Sequence, residues 1–233
     1  MINERERHGG RISGWLRNDA GVAGVIAFFF TVGVVGHALY PALMVRLTPP
    51  VLWFYGLLTA ALAILGSHSS RAGRGSVRPR FLAWVVITYL VTFALEAIGT
   101  ETGAVFGPYT YGDVLGLSVI GVPLVIGLNW VLVVLGGLRV VQKLPAWAAV
   151  PAAGVLTTAF DFLMEPIAVG LGYWTWHWDG IPPQNYLAWF VISSAAAAVY
   201  RSLGIEFRSR LPAYYLAIQA AFFLALRFVL GLR

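Results

Sequence analysis

Residues 157–189 read TTAFDFLMEPIAVGLGYWTWHWDGIPPQNYLAW, and this stretch decides what kind of fold the chain must adopt. Its first half is an apolar run of membrane-spanning character interrupted by two carboxylates, Asp161 and Glu165. On a helix, side chains four apart lie one turn apart on the same face, and Thr157 extends that stripe. An acid deep in a spanning helix costs roughly 2.5–3.5 kcal/mol on insertion scales, so such residues persist where they face a bundle interior, meet partners or handle protons. The stretch therefore predicts a polar site enclosed by membrane helices.

Composition points the same way. Of 233 residues 59% are hydrophobic and 11% charged, with a mean hydropathy of +0.77, whereas ordinary soluble domains carry about 25% charged residues. We expect an all-α polytopic membrane bundle: a basic cytoplasmic segment over residues 1–20, then one transmembrane domain over 21–233, in the cell membrane and multi-pass. The first apolar run is too long for the core of a signal peptide. Net charge is +6, but the basic residues lie beside apolar runs, which selects anionic lipid over nucleic acid as partner. The absence of cysteine removes disulfides, thiolate nucleophiles and thiolate metal sites.

Seven apolar segments of near-spanning length follow, at about 22–45, 51–66, 81–99, 119–138, 147–170, 187–203 and 212–230. With the N-terminus inside, thirteen of the sixteen lysines and arginines fall in cytoplasmic segments, leaving Arg46, Arg227 and Arg233 outside. The positive-inside rule asks for this asymmetry, so the layout is N-in and C-out. The outer loops, about 100–118 and 171–186, lack basic residues and carry glycine, proline and aromatics. Tyr109, Tyr111, Trp174, Trp176 and Trp178 there fit either an interfacial aromatic belt, which would also take His177, or loops folded back to roof a cavity.

Counting outward at about 1.5 Å per residue brings Glu96, Glu101, Asp161, Glu165, His37, Asn129 and Trp130 into the middle or outer half of the bundle. Each has an ordinary structural alternative. Asp161 and Glu165 could pair with Arg227, Glu96 and Glu101 could sit at the tolerant interface, and His37 and Asn129 could be interhelical hydrogen-bond partners. Pro166 predicts a kink after Glu165. Several chemistries are disfavoured. The only lysine, Lys143, lies in a predicted loop, so no helix offers a Schiff-base amine. The four histidines are too scattered for a di-iron site. No glycine-rich dinucleotide fingerprint or aspartate-rich diphosphate motif occurs. The expectation is cofactor-free acid/base chemistry with no metal, or a proton-coupled transporter using the same acids as a relay.

Two blocks, EAIGTETGAVFGPYTYGDVLGLSVIGVPLVIGLNW at 96–130 and DFLMEPIAVGLGYWTWHWDGIPPQNYLAW at 161–189, resemble the CruF-type membrane carotenoid 1,2-hydratases, which act on γ-carotene or bisanhydrobacterioruberin. The first pattern is carried by Glu96, Gly99, Thr102, Gly103, Phe106, Gly107, Tyr109, Tyr111, Gly121, Val122 and Pro123. The second is carried by Asp161, Glu165, Pro166, Gly172, Trp174, Trp176, Gly180, Pro182 and Asn185. Glu165 departs from the pattern, which has Asp before the proline; the charge is kept on a longer arm. The resemblance implies addition of water across the C1=C2 bond of an acyclic carotenoid end group, giving a tertiary alcohol. It implies Asp161 and Glu165 as an acid/base pair assisted by Glu96. A pocket would be lined by Tyr109, Tyr111, Trp174 and Trp176, with Glu101, Asn129, Trp130, Asn185 and His37 as further substrate contacts. Substrates would be lycopene, γ-carotene or a C50 analogue together with water; other carotenoid enzymes would be partners. Cyclisation of the end group shares the protonation step and is the close variant.

Overall fold

A computed structural model of the chain describes residues 18–69 and 77–231. Most of the basic N-terminal segment, and Arg71, Arg74 and Arg233, therefore lie outside the described residues. The described chain is an all-α bundle of seven helices: α1 (Asp19–Leu39), α2 (Pro41–Leu65), α3 (Arg78–Thr102), α4 (Leu124–Val140), α5 (Ala146–Gly170), α6 (Pro183–Ser202) and α7 (Leu211–Val229). Five of them, α1, α2, α3, α5 and α7, are long and apolar enough to cross a membrane. Leucine, valine and phenylalanine exposed along α1, α2 and α3 are what a lipid-facing surface requires. In contrast, α4 is buried on nearly all sides, from Val125 to Leu138. A helix apolar all round belongs at the centre, and α4 packs against α2, α3, α5 and α7.

Two boundaries differ from the sequence expectation. The sequence places the first two apolar segments at about 22–45 and 51–66, but α2 begins at Pro41 and runs through Pro49 and Pro50. Only Tyr40, outside helical geometry, separates it from α1. Proline within a membrane helix is tolerated where neighbouring groups satisfy the freed carbonyls, which here are those of Val45 and Arg46; just before the prolines the Thr48 hydroxyl also donates to the Met44 carbonyl at 2.9 Å. The fourth helix starts at Leu124 rather than near 119, because residues 118–123 form a tight hairpin of β3 (Ser118–Val119) with β4 (Val122–Pro123). Pro166 lies inside α5, which runs on past it to Gly170.

Two further two-stranded ribbons mark opposite ends of the bundle. β1 (Ser67–Ser69), after α2, pairs with β6 (Ile205–Phe207), after α6. At this end arginines donate to loop carbonyls: Arg78 to Leu65 (3.1 Å), Arg80 to Leu203 (3.1 Å), Arg139 to Ser209 (2.9 Å) and Arg201 to Leu144 (3.1 Å). At the other end β2 (Tyr109–Tyr111), after α3, pairs antiparallel with β5 (Trp174–Trp176), after α5. This second ribbon covers the site.

Candidate functional site

The ribbon is a mirror pairing of Tyr-Thr-Tyr with Trp-Thr-Trp: Tyr109 opposes Trp176, Thr110 opposes Thr175 and Tyr111 opposes Trp174. Because side chains alternate along a strand, the four aromatics share one face and the two threonines the other. Thr110 and Thr175 are exposed while Tyr109 and Trp174 are buried, so the aromatic face looks into the bundle. Two further bonds hold it there, from the Gly112 amide to the Tyr173 carbonyl and from the His177 amide to the Pro108 carbonyl, both at 2.9 Å. At position 112 a side chain has no room, since a Cβ would come within 2.3 Å of the Gly172 carbonyl oxygen. These tyrosines and tryptophans form a roof, not a belt. Trp178 stays exposed.

Beneath the roof stand three buried carboxylates. Glu96 is reached from α3, and Asp161 and Glu165 from the inward face of α5, with Thr157 buried on the same stripe. Glu96 accepts from three donors: the hydroxyls of Tyr109 and Tyr111 (the latter at 2.7 Å) and the Trp130 indole N–H at 2.7 Å. Glu165 accepts the indole N–H groups of Trp174 and Trp176, both at 3.0 Å. Asn185, in the first turn of α6, bridges the α5 pair, donating to Asp161 Oδ2 at 2.7 Å and to Glu165 Oε1 at 3.3 Å. Asp161 Oδ1 is buried and accepts no bond from the described residues. The donors are all neutral. Arg227, the sequence-level candidate for a counter-ion, is exposed.

Magnitudes separate the three acids. A hydrogen bond to a charged group contributes about 1.5–3 kcal/mol, so three donors each at Glu96 and Glu165 suffice to offset an insertion cost of roughly 3 kcal/mol. Asp161, with one donor and a free oxygen, is the least compensated. Burial, reinforced by the Glu96 charge, pushes the phenols of Tyr109 and Tyr111 far above the ordinary tyrosine range. Both therefore remain O–H donors at any physiological pH.

The three acids and the roof line one cavity, also lined by Leu52, Phe106, Asn129, Trp130, Trp189 and Gln219. Of the residues singled out from sequence, Glu96, Asp161, Glu165, Tyr109, Tyr111, Asn129, Trp130, Trp174, Trp176 and Asn185 line this one cavity. Glu101 is exposed past the end of the Glu96 face and is not brought to it. His37 is buried, its Nδ1 2.7 Å from the Gly33 carbonyl and its ring edge-on to Phe222; it lines a neighbouring cavity instead. Two residues go unremarked in the sequence. Trp189 stacks on Trp130 with centroids 3.7 Å apart and planes 18° apart. Gln219 donates to Asn129 Oδ1 at 3.3 Å and leaves its own buried carbonyl oxygen without a partner. A lone amide within the apolar run of segment seven was the signal for Gln219. Among the described residues no group of three or more His, Asp or Glu side chains is arranged to hold a metal ion.

A neutral-donor cage around three acids, under an aromatic roof, is an arrangement suited to moving a proton and tolerating a cation. Comparison with known proteins bears on which. A family model described as "Carotenoid biosynthesis protein" matches residues 51–231. The chain belongs to this carotenoid biosynthesis family. The matched region takes in every helix that contributes to the cage and both strands of its roof. A bisanhydrobacterioruberin hydratase from Haloarcula japonica is 29% identical over 132 residues, covering 51% of this chain and 44% of that protein. The similarity thus spans less than half of that relative's length. No solved structure matches. Carotenoid modification in a membrane-type helical bundle is the level at which family and fold agree.

Proposed function

We propose that the chain is a carotenoid 1,2-hydratase of the cell membrane, adding water across the C1=C2 bond of an acyclic end group without a cofactor. The observation that carries this reading is the asymmetry among the carboxylates: five of the six oxygens accept hydrogen bonds, and Asp161 Oδ1 does not. With a proton on Oδ1, Asp161 is the general acid. The C1=C2 electron pair takes that proton to form the C2–H bond, leaving a tertiary cation at C1. Tyr111, Trp174 and Trp176 present π faces to it, and Glu96, held by three donors, supplies fixed negative charge without trapping it. A water oxygen forms the C1–O bond, and Glu165 accepts the proton that water sheds. Proton return from Glu165 to Asp161, one helical turn away, restores the acid. Gln219 Oε1 is a second open acceptor on the cavity wall and can orient the water. The named hydratase relative supports the reaction class; its substrate is not carried over, because Glu165 lengthens the arm before Pro166.

The test is expression in cells that accumulate lycopene or γ-carotene, with extracted pigments analysed by mass. A product heavier by one water is expected. An isomer of unchanged mass would replace hydration with cyclisation, and no new pigment despite membrane expression would overturn the enzymatic reading.

A further inference from the structure

A second cavity lies between α1, α2 and α7. Its wall is apolar apart from Thr48 and His37, which are bonded within it, Tyr173, and Gln219, whose Oε1 is without a partner. Thr48 donates to Met44, His37 is bonded to Gly33, and Phe29, Phe30, Val32, Leu47, Val51 and Phe222 supply the surface. Leu52, Tyr173, Gln219 and Phe223 line both this cavity and the acid cavity, so the two adjoin at a neck formed by those four side chains. At its far side stand Phe29, Val32 and Leu47, between 43% and 49% exposed, on helices long and apolar enough to cross a membrane. Polarity thus falls in one direction: three carboxylates, then the single amide of Gln219 at the neck, then hydrocarbon, then the lipid-facing surface.

We propose that this cavity is the polyene-binding site and the lateral entrance from lipid, holding the conjugated chain behind an end group seated among the acids. This rests on the carotenoid reading of the acid cavity. A long, rod-like polyene with a reactive end group is the ligand that needs both compartments. Transfer of each buried CH₂ equivalent contributes about 0.8 kcal/mol relative to water, but a substrate arriving from lipid gains little from burial alone. The cavity's contribution is therefore positioning: it fixes the direction from which the end group approaches Asp161.

The experiment purifies the membrane protein from lycopene-accumulating cells and measures pigment retained per chain by visible absorbance. Leu47→Trp and Val51→Trp narrow the cavity; Leu57→Trp, on the exposed face of the same helix, is the control. Retention is expected to fall about tenfold in the two narrowing variants, a change equivalent to 1.4 kcal/mol, and to be unchanged in the control. Asp161→Asn is expected to retain pigment while losing turnover. A photoreactive benzoylphenylalanine replacing Leu47 in the otherwise native chain should crosslink lycopene, and the same group at Leu57 should not; this arm holds even where a tryptophan variant fails to fold. No crosslink at position 47, or full retention in the narrowed variants, overturns the proposal. Retention and crosslinking without any altered pigment would instead leave the entrance standing and remove the hydratase reading.

Discussion

At the scale of single residues, the distribution of donors assigns different work to chemically similar groups. Asp161→Asn keeps shape and volume but removes the transferable proton, and turnover is expected to drop by about 10²–10⁴-fold with unchanged expression, measured as hydrated product per chain. Tyr111→Phe removes one of three donors to Glu96. It should destabilise the protein by about 1.5–3 kcal/mol, read as a lower thermal midpoint in detergent, while leaving Asp161 able to donate. The acids were legible in the sequence because an intramembrane charge is costly and so conspicuous. Their partners were only half legible. Tyrosine and tryptophan near a membrane surface have the same composition whether they anchor a helix or satisfy a carboxylate, and only strand register tells the two apart. Trp189 and Gln219 fall in runs whose periodicity says buried or lipid-facing but not which neighbour is met. Glu101, five residues beyond Glu96, illustrates the converse: sequence proximity suggested a shared site, but both lie on α3 and five residues at 3.6 per turn turn Glu101 away from the Glu96 face, where it stays exposed.

At the scale of elements, the helices were readable from apolar runs, and the errors fell where proline is ambiguous. Pro49 and Pro50 carry a breaking signal that the bundle overrides, whereas Pro123 marks a real entry into α4 after the short hairpin. The β2–β5 ribbon could not be read at all. Three-residue strands give no periodicity, and their partners lie more than sixty positions apart. The ribbon's dependence on a bare backbone at Gly112 is testable: Gly112→Val places a side chain against the Gly172 carbonyl and should dislodge the roof. Loss of turnover together with new protease cleavage between residues 103 and 118 is the expected outcome. Thr110→Ser, on the exposed face, should change neither.

For the molecule as a whole, charge gives the orientation that the fold by itself does not. The ends marked by the two ribbons differ in chemistry, one carrying Arg78, Arg80, Arg139 and Arg201 and the other the aromatic roof. The asymmetry predicts that the arginine end faces the cytoplasm. The chain contains no cysteine, so single replacements report sidedness cleanly. Thr175→Cys in intact cells should react with a membrane-impermeant maleimide, and Lys143→Cys only after permeabilisation; the reverse pattern would invert the topology. Such an orientation would put the acids in the outer half of the bundle, on the side of external water.

The order of the donors along the chain has a consequence for biogenesis. Glu96 is followed by Tyr109, Tyr111 and Trp130, Glu165 by Trp174 and Trp176, and both α5 acids by Asn185. Every carboxylate is therefore synthesised before any group that hydrogen-bonds to it. Each must leave the ribosome and enter the bilayer uncompensated, and a nascent chain halted before residue 174 would hold α5 in the membrane with neither acid satisfied. Assembly of the acid-lined cavity is thus a late event, and chains arrested short of α6 should be preferred targets for membrane quality-control proteolysis.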